Sequence, residues 1–217
     1  MIISRTPFRI SFFGGGTDYP EWYMKHGGAV LSTTFDKYCY ITSRELPPFF
    51  DHKYRITYSK VEDTKEIEQI KHPAIRAVLN EIDFERGLEI HCDADLPARS
   101  GLGSSSSFVI GMLHSLQALQ NKEVTKEWLA NEAIRIEQVV LQENVGSQDQ
   151  VAAAFGGFNL IKFNTDGGFS VEPIILPVQR KQSLESHLML FFTGFSRIAS
   201  EVAKSKIANL EKKSKEL

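Results

Sequence analysis

Between positions 96 and 108 the chain reads LPARSGLGSSSSF, with two glycines followed by an unbroken run of serines at 104–107. Polar tracts of this kind ordinarily make linkers, because Gly and Ser neither bury apolar surface nor restrict the backbone. The flanks exclude a linker here. Leu88, Ile90 and Cys92 alternate with Glu89, His91 and Asp93, the pattern of a half-buried strand ending near Leu96. Phe108, Val109, Met112, Leu113, Leu116 and Leu119 recur on one face of a helix over 105–120. The chain must therefore fold with a glycine-serine turn locked between a strand and a helix.

A helix start carries unpaired N–H groups and a partial positive charge, so it can hold phosphate oxygens. Gly101 and Gly103 would let the backbone come close to them. The hydroxyls of Ser104, Ser105 and Ser106 could donate to phosphate or bind Mg²⁺. A serine-capped loop with no ligand fits the same spacing. Two sharper alternatives are excluded: the chain has no Gly-Lys pair for a P-loop, and Ser106 stands where a dinucleotide fingerprint needs its third glycine.

Composition narrows the partners. The chain has 217 residues, 42% hydrophobic and 24% charged, with a formal net charge of −2. That balance argues against a nucleic-acid or membrane-surface binder. Cys39 and Cys92 give neither a disulfide framework nor metal spacing, and the six histidines show no metal spacing either. The N-terminus lacks the pattern of a signal peptide, and no apolar run suggests a membrane span. A cytoplasmic protein is expected.

Residues 2–13 read as a strand that Pro7 limits to an edge or a bulge. GGGTDY at 14–19 breaks it, and a short helix or loop follows. Residues 29–44 are β-rich and predict two strands around Asp36 and Lys37, with a further strand at 54–58. HPAIRAVLNEI is a helix with Pro73 near its first turn. Thr125 can cap a second long helix whose face is Leu129, Ala133, Ile136 and Val140. Glu137 projects from that apolar side, where a carboxylate is costly unless it is paired or metal-bound; a salt bridge at the edge of the stripe is the alternative. Strands follow at 156–163 and 168–175. The apolar run LMLFFT within 187–193 predicts a strand, and a polar helix is expected from about Arg197, together the opening of an unfinished second domain.

Three stretches then share one resemblance. PARSGLGSSSS (97–107), TPFRISFFGGGTDYPEW (6–22) and ENVGSQDQVAAAFGGFN (143–159) resemble, in order and spacing, the motifs of the GHMP kinase superfamily, and the likeness runs from residue 2 to about 200. GGGTD, GGAVLSTTFDKY and VGSQDQ together resemble its D-glycero-D-manno-heptose 7-phosphate kinase branch, which fucokinase domains also resemble. The resemblance implies a mixed α+β fold like ribosomal protein S5 domain 2, with an N-terminal ATP-binding domain over 1–180 and the start of a C-terminal domain over 181–217. The family's third, glycine-rich motif has no counterpart here, so a fragment or a truncated product is expected.

The implied activity is an ATP-dependent sugar kinase that phosphorylates the anomeric hydroxyl of a sugar phosphate, most simply the heptose 7-phosphate. A fucokinase- or galactokinase-like enzyme and a weak nucleotide-binding remnant are the alternatives. Pro97, Gly101, Leu102, Gly103, Ser104, Ser105 and Ser106 would bind ATP, with Ser105 and Glu137 on Mg²⁺. Asp149 would accept the proton of the attacking hydroxyl, and a base of this kind is worth about 10²–10⁴-fold. Arg9 would supply fixed positive charge beside it. Gly15, Gly16, Thr17 and Asp18 would meet the sugar. Galactokinases carry an acidic residue and a histidine in place of Gly15 and Gly16, so this site would be roomier. Taken singly, Asp149 also reads as a helix cap, Arg9 as a surface charge and 14–16 as a tight turn. A small-molecule sugar phosphate is the expected partner, without nucleic acid or membrane, and a homo-oligomer stays open.

Overall fold

The computed structural model describes residues 1–98 and 100–191. Among the described residues seven strands, β1 (Ile2–Phe13), β2 (Gly28–Glu45), β3 (Tyr54–Thr57), β4 (Val61–Thr64), β5 (Leu88–Ala94), β6 (Phe158–Phe163) and β7 (Phe169–Pro173), form one mixed sheet. Its order is β4-β3-β5-β2-β6-β7, with β1 paired to β2, and only β3 and β5 run parallel. Among the described residues six α-helices accompany it: α1 (Pro20–His26), α2 (Pro73–Glu81), α3 (Ser104–Leu119), α4 (Lys126–Arg135), α5 (Gln148–Phe155) and α6 (Val178–Ser186). The fold is the expected mixture of helix and sheet.

The region expected to hold two strands around Asp36 and Lys37 is a single strand of 18 residues. No Gly or Pro interrupts 29–44, and its β-branched and aromatic residues favour extension throughout. The irregularity sits instead in the partner, where the β1–β2 register shifts between Pro7 and Arg9. Pro7 cannot donate a ladder hydrogen bond, and a bulge on an edge strand absorbs it.

A strand has two edges, and β2 gives one of them to β1 from Leu31 to Ser43. The other is shared: Gly28 to Thr33 pair with β6, and Cys39 to Glu45 pair with β5. In between, the backbone is held by loops. Thr34 N–H donates to the Gly157 carbonyl at 2.9 Å, and Tyr38 N–H donates to Asp95 Oδ2 at 2.8 Å.

One face of the sheet is apolar. Phe8, Ile41, Ile56, Leu88 and Ile90 pack with Ile75, Val78, Leu79, Val109, Met112, Leu113 and Leu116 of α2 and α3. Helix α3 approaches closely because it carries Gly111; a Cβ there would lie 2.8 Å from Thr6 Oγ1 and 3.1 Å from Ser4 Oγ. Thr125 caps α4 as expected, accepting the Trp128 N–H at 3.1 Å. The expected helical face through Ile136 and Val140 does not continue regularly, because α4 passes into a five-residue π-turn at Ile136–Val140, closed by Leu141 N–H on the Ile136 carbonyl.

Strand β4 and helices α5 and α6 are too short for periodicity to reveal. Of the strand expected over 187–193, residues 187–191 have no strand structure, and Met189 and Phe191 are exposed. Residues 192 and 193 and the helix expected from Arg197 lie outside the described residues. No described helix is long and apolar enough to cross a membrane.

Candidate active site

The glycine-serine turn is built as a cradle. Gly101 and Gly103 adopt φ of 77° and 76°, left-handed values that favour glycine, and no atom lies within 4 Å of where a Gly101 Cβ would stand. Gly103 starts α3, leaving the first-turn N–H groups facing the turn. The turn is stitched to the bulged part of β1: Arg9 N–H donates to the Leu102 carbonyl at 3.1 Å, and Arg9 Nη1 to the Gly101 carbonyl at 3.0 Å. Pro97 is exposed ahead of the cradle.

The four consecutive serines divide by direction. Ser105 is exposed. Ser106 is buried and donates to Glu137 Oε2 at 2.7 Å, while Ser107 donates to the Pro7 carbonyl at 2.9 Å. Of the serines in the turn, the one hydrogen-bonded to Glu137 is thus Ser106, the residue after the Ser105 expected beside Glu137 on Mg²⁺. Successive helical residues point about 100° apart, and the left-handed Gly103 sets the phase.

Glu137 is fully buried, and burial raises its pKa to about 7 against the hydrogen bonds from Ser106 and Gln150, with Asp149 and Glu143 adding like charge. The expected salt-bridge alternative is not what the structure shows: the partners of Glu137 are a hydroxyl and the Gln150 amide. Its second oxygen, Oε1, is buried without a hydrogen-bond partner. An orphaned oxygen on a carboxylate that is hydrogen-bonded by Ser106, in the first turn of α3, fits a divalent cation. Among the described residues no cluster of three or more His, Cys, Asp or Glu side chains could hold a metal, so most ligands would have to come from a bound nucleotide and water.

Asp149 is neither a free helix cap nor a lone charge. Arg9 Nε donates to its Oδ1 at 2.7 Å and Arg9 Nη2 to its Oδ2 at 2.9 Å, a bidentate pair joining residues 140 positions apart. Burial works against the Arg9 charge, but the Asp149 carboxylate outweighs it and raises the Arg9 pKa. The Asp149 side chain keeps 26% of its surface exposed, and each of its oxygens retains a second lone pair.

The GGGTDY turn closes the other side. Gly14 has φ of 84°, and a Cβ there would sit 1.8 Å from the Ala29 carbonyl oxygen, so only glycine fits. Thr17 is buried; its hydroxyl accepts the Ala29 N–H and lies 2.8 Å from the Gly14 carbonyl, bracing the turn on β2. Asp18 is 1% exposed and accepts the Gly16 N–H at 2.9 Å and the Gln148 N–H at 3.3 Å. Burial raises its pKa against these bonds. Thr17 and Asp18 therefore support the turn from beneath, whereas Gly15, Gly16 and Arg9 line an open cavity of about 580 Å³, with Tyr19 and Gln148 beside them.

Several of these residues were not singled out from sequence. Gly146 is one: a Cβ there would fall 1.9 Å from Asp18 Oδ2, so its side-chain-free backbone is what lets Asp18 reach α5. Gln150 is another, fully buried against Glu137. Both lie in VGSQDQ, and their proximity to Asp149 was the available signal.

Residues 68–157 match the family model of the GHMP kinases N terminal domain. The chain is 31% identical over 218 residues to the D-glycero-alpha-D-manno-heptose 7-phosphate kinase of Campylobacter jejuni, a match covering 96% of this chain and 64% of that one. It is 28% identical over 194 residues to a galactokinase of Chloroflexus aurantiacus, covering 82% of this chain and 47% of that one. The structure superposes with a TM-score of 0.79 on a D-glycero-D-manno-heptose 1-phosphate kinase from Bacteroides thetaiotaomicron, at 25% identity over 98% of this chain and 72% of that one. The chain thus spans about half to two thirds of the length of these curated relatives. Fold, turn and sequence agree, and the chain carries the N-terminal domain of the GHMP kinases.

Proposed function

We propose that this domain belongs to an ATP-dependent sugar kinase that transfers the γ-phosphoryl group to the anomeric hydroxyl of a sugar phosphate, D-glycero-D-manno-heptose 7-phosphate first among candidates. The observation that carries the reading is the Arg9–Asp149 pair: Arg9 lines the 580 Å³ cavity together with Gly101 and Leu102 of the glycine-serine cradle, and Asp149 Oδ2 lies 3.4 Å from where a Gly103 Cβ would stand. Phosphoryl transfer asks a protein mainly for positioning and charge neutralisation, and the pair supplies a base and a fixed cation at one place.

In this mechanism the first-turn N–H groups of α3, with Gly101 and Gly103, hold the phosphates of ATP. Asp149 accepts the proton of the attacking sugar hydroxyl on a lone pair that Arg9 leaves open. Arg9 holds the carboxylate in one orientation and offsets charge on the transferring group. Ser106 and Glu137 would hold Mg²⁺, which when bound neutralises phosphate charge. Gly15 and Gly16 leave room on the cavity wall for a substrate longer than a hexose, which favours the heptose phosphate over galactose. Two unpaired cysteines suit a reducing cytoplasm.

Release of ADP, measured against a panel of hexoses, fucose and sugar 7-phosphates, tests the reading. The expected result is turnover with the heptose 7-phosphate and little with galactose; turnover with none in the full-length protein overturns it.

A further inference from the structure

Gln150 lies one residue beyond Asp149 on α5 but faces the other way. Asp149 reaches Arg9, whereas Gln150 is fully buried with its amide on Glu137. Two donors, Ser106 Oγ and Gln150 Nε2, converge on one carboxylate oxygen, Oε2. The other oxygen, Glu137 Oε1, and the Gln150 carbonyl oxygen are both buried without partners. The carboxylate is therefore clamped in one rotation, with a single oxygen committed to the protein and a single oxygen presented. A buried acid that merely needed satisfying would gain by sharing its two donors between its two oxygens. The π-turn Ile136–Val140 that carries Glu137 is a further departure from regular geometry, of a kind that often marks functional sites.

We propose that Gln150 is a positioning residue for the cation site: it holds Glu137 so that Oε1 faces a divalent metal. Because Gln150 and Asp149 are neighbours on one short helix, α5 sets the metal contact and the base together. The inference rests on the reading of Glu137 as a metal contact.

The test uses the full chain with ADP and Mn²⁺, with free Mn²⁺ followed by its paramagnetic resonance signal. Gln150→Met keeps the length of the side chain and removes the donor. Loss of an outer partner of a metal ligand typically weakens metal affinity by about 10–100-fold. The expected result for Gln150→Met is a loss of Mn²⁺ affinity in that range, with cooperative thermal unfolding and metal-free ADP affinity unchanged. Gln150→Asn retains the amide on a shorter stem and should lose less; it also serves if the Met variant does not fold. A folded Gln150→Met protein whose Mn²⁺ affinity stays within twofold of wild type overturns the proposal, as does, where the Met variant does not fold, a Gln150→Asn protein within twofold of wild type. A Glu137→Gln protein that keeps full Mn²⁺ affinity marks a different failure, that of Glu137 as the metal contact, and the role of Gln150 falls with it.

Discussion

Asp149 receives one hydrogen bond from Arg9 on each oxygen, so its orientation is fixed while half of its accepting capacity remains. Asp149→Asn keeps the shape but cannot take a proton. Turnover should fall by about 10²-fold or more while ATP and sugar affinities hold. Arg9→Met should also lower turnover, and the double variant should lose less than the product of the two single losses, because Arg9 acts partly through Asp149. Steady-state kinetics on the four proteins, with binding measured separately, check both statements; near-wild-type turnover in Asp149→Asn would reduce the residue to a structural brace. At this scale the sequence was legible wherever a residue type was unusual for its place. Glu137 on an apolar helix face, Gly101 and Gly103 before a helix, and Asp149 in its motif all proved to lie at one site. The serine facing Glu137 was not legible, since four identical neighbours differ only in helical phase, and that phase is set by the backbone of Gly103.

Among the elements, α2 shows how a terminus is held. His72 is its N-cap, accepting the Ile75 N–H on Nδ1 at 3.4 Å, with its ring against Tyr58 and Phe108. Burial lowers the His72 pKa below its ordinary 6.5, against the pull of Glu62. The unfolded chain therefore binds this proton more readily than the folded one. The contribution is intact above the unfolded value and is lost as pH falls below about 6.5, when the protonated ring also stops accepting. A cap is worth about 1 kcal/mol. His72→Asn should be less stable overall, having lost the ring contacts, yet flatter in stability between pH 7 and pH 5, as denaturant midpoints at the two values would show. Helices such as α2 and α3 were legible because their apolar faces repeat. The bulge of β1 was legible from Pro7, but the unbroken β2 was not. Asp36 and Lys37 read as a turn, whereas the irregularity is taken up across the ladder in the strand that carries the proline.

For the molecule as a whole, the separation of α3 from the sheet sets where the cradle stands relative to Arg9. Gly111→Ala would press a methyl group against Thr6 and Ser4 and move the helix outward. The expected cost is about 1–3 kcal/mol of stability, measured by chemical denaturation. Nucleotide affinity should fall with it, because α3 begins at the cradle. The shared edge of β2 has a consequence for how the chain is made. During synthesis β1, β2 and β5 emerge early, whereas β6 follows only after α3, α4 and α5. Until then Leu31 to Thr33 are paired on the β1 side alone, Gly28 to Val30 lie beyond the end of the β1 ladder, and the edge that β6 will cover waits for a strand far along the chain. An open edge of this kind pairs readily with other chains. A nascent chain stalled before Phe158 is therefore the form of this protein most exposed to aggregation, and arrival of β6 is the step that ends the risk.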